Sequence, residues 1–145
     1  MMRLSGVVLN SPEPRRLADF YCRLLGLPPG EGSDHWLSVD TGQGVLLSFH
    51  HDEHYRPPVW PSRGSEQQMM LHLDIDVDDL EAACAHALNV GARLADFQPQ
   101  EDVRVMLDPD GHPFCLAELS GSELSGSALS GSALNDSALS GSAQP

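Results

Sequence analysis

The stretch His72 to Ala83, HLDIDVDDLEAA, changes its periodicity halfway along. With Leu71 added, Leu71, Leu73, Ile75 and Val77 alternate with His72, Asp74 and Asp76, the period of two expected of a half-buried strand. From Leu80 the apolar positions become Leu80, Ala83, Cys84, Ala87 and Leu88, the i, i+3, i+4, i+7, i+8 spacing of one helix face. Asp78 is the expected N-cap and Gly91 the expected stop. The segment is a strand feeding a helix.

The first half of the chain repeats this grammar. Gly6 to Leu9 is a short apolar strand, SPEP follows, and Leu17, Phe20, Tyr21, Leu24 and Leu25 mark a helix face ending at Gly26. Ser11 is the expected cap. After each helix come strand-like runs broken by turns. These are His35 to Val39, the turn DTGQG and Val45 to Phe49, then Val103 to Leu107, the turn DPDG and Pro113 to Ala117. Two pseudo-repeats, each a βα unit followed by a hairpin-rich segment, predict an α+β fold.

From Leu119 the composition changes. LSGSE LSGSA LSGSA LNDSA LSGSA QP is a run of pentapeptides that adds only Glu123 and Asp136 to the charge. The folded part is therefore expected over 1–119, with 120–145 as a Ser/Gly/Ala/Leu tail. The period resembles pentapeptide repeats that coil into a β-helix, but so few make little more than one coil, and the composition favours a disordered tail over a folded coil.

Composition narrows the partners. In 145 residues, 8 basic side chains stand against 21 acidic ones, a net charge of −13, and every basic residue is Arg. Phosphate backbones and anionic lipid repel such a chain, so neither nucleic acid nor a membrane is expected as a partner. The run before Asn10 is too short for a signal peptide, and no stretch approaches a membrane span. Cys22, Cys84 and Cys115 are odd in number and widely spaced, which predicts reduced thiols in a cytoplasmic protein. There is no phosphate-binding Gly-rich loop, GxSxG elbow or HExxH, and Asn135-Asp136-Ser137 would be unused as a glycosylation acceptor in that compartment.

LADFYCRLLGL (Leu17 to Leu27), HLDIDVDDLEAA and LDPDGHPFCL (Leu107 to Leu116) together resemble the vicinal-oxygen-chelate superfamily, which includes glyoxalase I, bleomycin-resistance proteins and extradiol dioxygenases. The last two motifs are most similar to glyoxalase-like domains of high-GC bacteria, and the absence of Lys agrees with that origin. The resemblance implies two βαβββ modules whose sheets curve into a half-open barrel, a site inside it, and a homodimer. Fold does not carry function here, because the superfamily spans lyases, isomerases, dioxygenases and drug-binding proteins.

The resemblance also implies where a metal would sit: one ligand from the first and one from the last strand of each module. His72 matches such a position and could bind a divalent metal. Aligning Asp79 with Glu13 puts His72 over Gly6, or Val7 after a one-residue slip, and neither can ligate. Many metal members carry a Glu four residues after the Gly of DPDG; here that place is Cys115. A thiolate can ligate, but a free Cys between Phe114 and Leu116 reads more simply as a small buried hydrophobe. Aligning the turns at Asp40 and Asp108 maps Cys115 onto Leu47. One good ligand in four predicts a degenerate metal site, with no cofactor expected and room left for a divalent metal at His72.

His72 and Asp74, neighbours on one strand face, could form a carboxylate-oriented imidazole able to act as a general base; a satisfied polar pair in a wet cavity would look the same. The loop HHDEHYRPPVWP (His50 to Pro61) gathers three histidines and two carboxylates, yet consecutive loop positions give a metal little support. Tyr55 and Trp60, stiffened by Pro57, Pro58 and Pro61, read better as a lid over the barrel mouth. Trp36 and Phe49 are candidate pocket walls or core residues, and His112 a candidate contact or simply a turn residue.

The expected function is therefore binding of a small, apolar or aromatic molecule, with His72 and Asp74 as the acid–base pair and Trp36, Phe49, Tyr55, Trp60, His112 and Cys115 as contacts. The alternative is a metal-dependent lyase, isomerase or dioxygenase using His72. A third reading makes the domain an interaction module assembled through its tail.

Overall fold

In a computed structural model that describes residues 1–119, the two sequence repeats become two four-stranded sheets. The first module runs β1 (Gly6–Ser11), α1 (Pro14–Leu25), β2 (Glu31–Gly32), β3 (Trp36–Asp40) and β4 (Leu46–His51). The second runs β5 (Leu73–Val77), α2 (Leu80–Val90), β6 (Arg93–Leu94), β7 (Val103–Leu107) and β8 (Pro113–Glu118). Strand orders β1-β4-β3-β2 and β5-β8-β7-β6 are the same design twice, with the first strand parallel to the last and the rest antiparallel. Both modules are thus βαβββ, as the resemblance implied. The tail 120–145 lies outside the described residues.

The helices form where the apolar spacing places them, with two corrections at their starts. Ser11 does not cap α1. It ends β1, and its hydroxyl oxygen accepts from Glu13 N at 2.9 Å while donating to the Asp110 carboxylate at 2.5 Å. Pro14 opens α1 instead, since its fixed φ suits a first turn whose N–H groups are unpaired anyway. In α2 the cap is Asp79 rather than Asp78, accepting from Ala82 N at 2.9 Å. Gly26 and Gly91 end the helices in the left-handed conformation.

One core serves both modules. Leu17, Phe20 and Tyr21 of α1 are fully buried. Tyr21 stacks on Phe49 of β4 at 5.7 Å and meets Phe114 of β8 edge-on at 6.3 Å, so α1 touches both sheets. Truncating one such aromatic to Ala costs about 3–5 kcal/mol in comparable cores. His86 of α2 adds a polar tie, its Nε2 lying 3.2 Å from the carbonyl oxygens of Arg23 and Leu24 at the end of α1. The helical stripe of α2 runs through Leu80, Ala87 and Val90, whereas Leu88 is half exposed.

Because α1 and α2 cover one face of each sheet, alternate residues point the other way. On β5, Leu73, Ile75 and Val77 pack toward the core while Asp74 and Asp76 do not. On β8, Phe114 and Leu116 join the main core, and Cys115 between them lies in a separate small cluster with Ala95 and Val105. The edges of β1 and β5 share no ladder. Residues from both sides of that seam line two cavities, one of about 390 Å³ and one of about 520 Å³.

Candidate functional site

The helix-free face of the second sheet gathers His72, Asp74 and Cys115. Asp74 and Cys115 are direct partners in the β5–β8 ladder, and His72 precedes Asp74 by one full pleat. One donor atom from each of the three lies within 4.8 Å of the others. Among the described residues this is the one such group of three His, Cys, Asp or Glu side chains. His72 Nε2 is the singular atom in it. It approaches Asp74 Oδ1 to 3.0 Å, yet the approach lacks hydrogen-bond geometry and the nitrogen is buried without a partner. A buried, unpaired ring nitrogen costs about 1–3 kcal/mol, so it marks a place where a ligand atom would be welcome.

Cys115 is almost fully buried. Burial pushes its thiol up to about 12, and the Asp74 carboxylate beside it adds to the rise. The resting group is therefore a neutral thiol. It becomes a thiolate ligand only if a cation replaces the proton.

Trp60 roofs this group. Its indole stacks on the His72 ring at 5.1 Å and 24°, and meets Phe97 edge-on at 5.2 Å. Beneath and beside it Pro58, Val59, Pro61, Ala95, Val105 and Leu107 line a cavity of about 290 Å³.

The first module offers no matching donors. The ladders pair Asp40 with Leu46 and Leu107 with Pro113, which makes Ser48, not Leu47, the counterpart of Cys115. Leu47 points into the core; Ser48 is buried and its hydroxyl lies 2.8 Å from that of Ser38. Val8, paired with Ser48, then corresponds to Asp74, and Gly6 to His72. The alignment of the two turns was one residue out.

The remaining candidate residues fall in three other places. Phe49 is sealed in the core against Tyr21, so it walls no pocket here. Trp36 lies on the helix-free face of the first sheet, half exposed, beside His50 at 5.7 Å. The loop histidines do not converge: His51 pairs with His35 at 5.3 Å, and His54 faces Glu53 in solvent. Tyr55 and His112, with ring centroids 5.2 Å apart, sit together at the 390 Å³ seam cavity.

Around that pair lies a buried network that sequence reading took only as a turn. The Asp108 carboxylate is fully buried and accepts from Tyr21 Oη at 2.9 Å, from the backbone N–H groups of Asp110 and His112 at 2.9 Å, and from His112 Nδ1 at 2.8 Å. Asp110 binds Ser11 and, at 2.5 Å, the Arg16 guanidinium, while its carbonyl accepts from Tyr55 Oη at 3.0 Å. Burial and the Asp108 charge together push the Tyr21 and Tyr55 phenols upward, burial being the larger cause in each. Phe97 was also missed, standing in an unpatterned loop with no periodic signal.

The glyoxalase-like domain profile matches residues 6–117, which spans both modules and the whole of the site. The chain belongs to this family. Solved structures with the same fold include a glyoxalase/bleomycin resistance protein/dioxygenase family enzyme from Burkholderia phytofirmans PsJN, at 21% identity, covering 82% of this chain and 100% of that one with a TM-score of 0.63. A solution structure from Agrobacterium tumefaciens aligns at 21% identity over 83% of this chain and 100% of its own, TM-score 0.63. A glyoxalase family protein from Enterococcus faecalis aligns at 19% identity over 80% and 97%, TM-score 0.60. No curated protein matches the chain. The family match is consistent with the vicinal-oxygen-chelate superfamily that the sequence motifs resemble, and the solved structures share its fold. Among the described residues no helix is long and apolar enough to cross a membrane.

Proposed function

We propose that this glyoxalase-like chain binds a small apolar or aromatic molecule on the helix-free face of its second sheet, beneath Trp60, with a metal site too reduced to be required. What supports the reading is the Trp60 indole, held between His72 and Phe97 over the apolar wall of Val105 and Leu107. Aromatic side chains held by prolines offer contact area at little entropic cost, and one imidazole–carboxylate pair supplies polar orientation. His72 and Asp74 are the acid–base pair of this site and Cys115 part of its floor. The protein would work in the cytoplasm, where its three thiols stay reduced, and as a homodimer.

The unpartnered Nε2 of His72 favours a second reading, a metal-dependent lyase, isomerase or dioxygenase of the same superfamily. His72, Asp74 and Cys115 suit a borderline cation such as zinc, since they offer one nitrogen, one oxygen and one sulfur. A metal there would supply Lewis acidity toward a substrate oxygen. The chain's own part would be to surrender the Cys115 proton, to hold His72 by the Trp60 stack, and to keep water off through the apolar roof.

Elemental analysis of tag-free protein, with His72→Ala purified alongside, decides between the two. The first reading predicts no stoichiometric metal in either sample. One equivalent that vanishes in the variant would replace it with the second.

A further inference from the structure

The Asp108–His112 pair is better organised than a turn requires. Four donors converge on the buried Asp108 carboxylate, and its bond to His112 Nδ1 makes that nitrogen the N–H of the neutral ring. The lone pair is then on Nε2, which has no hydrogen-bond partner among the described residues. The His112 ring lines the 390 Å³ seam cavity, with its side chain only 14% exposed. An acceptor with a fixed tautomer therefore faces a partly open cavity.

The same cavity is also lined by Arg56, which is exposed and makes no ion pair among the described residues, in a chain of net charge −13. The carboxylate among the lining residues, Asp52, is already occupied by Asn10 Nδ2 at 3.1 Å and by the His54 backbone N–H at 2.9 Å. The rest of the lining includes the apolar Val8, Leu9, Pro58 and Leu71, together with Tyr55. Tyr55 itself is spoken for, its hydroxyl donating to Asp110 O.

We infer that this cavity is a second binding site, separate from the Trp60 face, for a small carboxylic acid that also carries a hydroxyl: the hydroxyl donates to His112 Nε2 and the carboxylate pairs with Arg56. The inference does not rest on the reading of the Trp60 site. Losing either the charge-assisted contact or the hydrogen bond should weaken binding about ten-fold.

Calorimetric titration of the full chain with 4-hydroxybenzoate, benzoate and phenol tests this. 4-Hydroxybenzoate should bind about ten-fold tighter than either partial ligand. Arg56→Gln, a surface change, should remove the preference over phenol, and His112→Phe the preference over benzoate. Should His112→Phe fail to fold, the imidazole 15N signals of the unaltered protein decide: His112 Nε2 shifts on titration and the Trp60 indole stays in place. Equal affinities, no binding, or a shift confined to Trp60 would each overturn the assignment.

Discussion

Cys115 and Asp108 show how one residue's neighbours decide its chemistry. Each is buried, but Asp108 meets four donors, whereas Cys115 meets a carboxylate and apolar side chains. The polar atoms of Asp108 are therefore satisfied, whereas burial pushes the Cys115 thiol up to about 12. A folded-state value above that of the unfolded chain means the unfolded chain loses its proton first as pH rises. Stability from Cys115 is thus intact below about 9, the ordinary thiol value, and is lost between there and about 12. The other two thiols and the phenols of Tyr21 and Tyr55 shift the same way and add to the alkaline loss. Urea unfolding at pH 8 and pH 11 should show Cys115→Ala losing less stability over that interval than the parent, by up to about 1.4 kcal/mol per pH unit. Equal losses would mean that the thiol is not held neutral by its surroundings.

At the scale of elements, the turn 108–111 does more than reverse the chain. Gly111 takes a φ of +93°, and a Cβ there would approach Pro57 Cβ to 3.1 Å, so the turn also seats the loop that leads to Trp60. Gly42, in the matching turn of the first module, has a φ of +72° and open space around it. Gly42→Ala should therefore cost about 1–2 kcal/mol of backbone strain, and Gly111→Ala distinctly more, as read by thermal unfolding of the two variants. Similar losses would remove the Pro57 contact from the account. Elements are also where the sequence was most legible. The α1 face, most of the α2 face and the strand Val103–Leu107 follow from apolar spacing, because burial on one face is what that spacing records, and the two stops follow from their glycines. The two-residue strands β2 and β6 did not show, being too short for a period to develop. Leu88 was assigned to the core and Val90 was not, whereas the structure buries Val90 and leaves Leu88 half exposed.

For the molecule as a whole, the doubled βαβββ plan was readable since each half repeats it, and the family match over 6–117 agrees. The site was readable only in part. Alternation over 71–77 put His72 and Asp74 on one face, but the Asp74–Cys115 partnership needed the parallel β5–β8 ladder, which joins residues far apart in sequence. The separation of Trp60 from Tyr55 likewise depended on Tyr55 reaching Asp110, a contact across the chain that no local pattern encodes. The two tryptophans fall on different modules, Trp36 on the open face of the first sheet and Trp60 over the second. That gives the central claim its most direct test. Titrate the protein with a flat apolar probe, 1-naphthol, and follow both indole N–H signals in a 1H–15N spectrum. The account predicts a saturable shift of the Trp60 signal with Trp36 unmoved. Movement of Trp36 alone, or of neither, would contradict it.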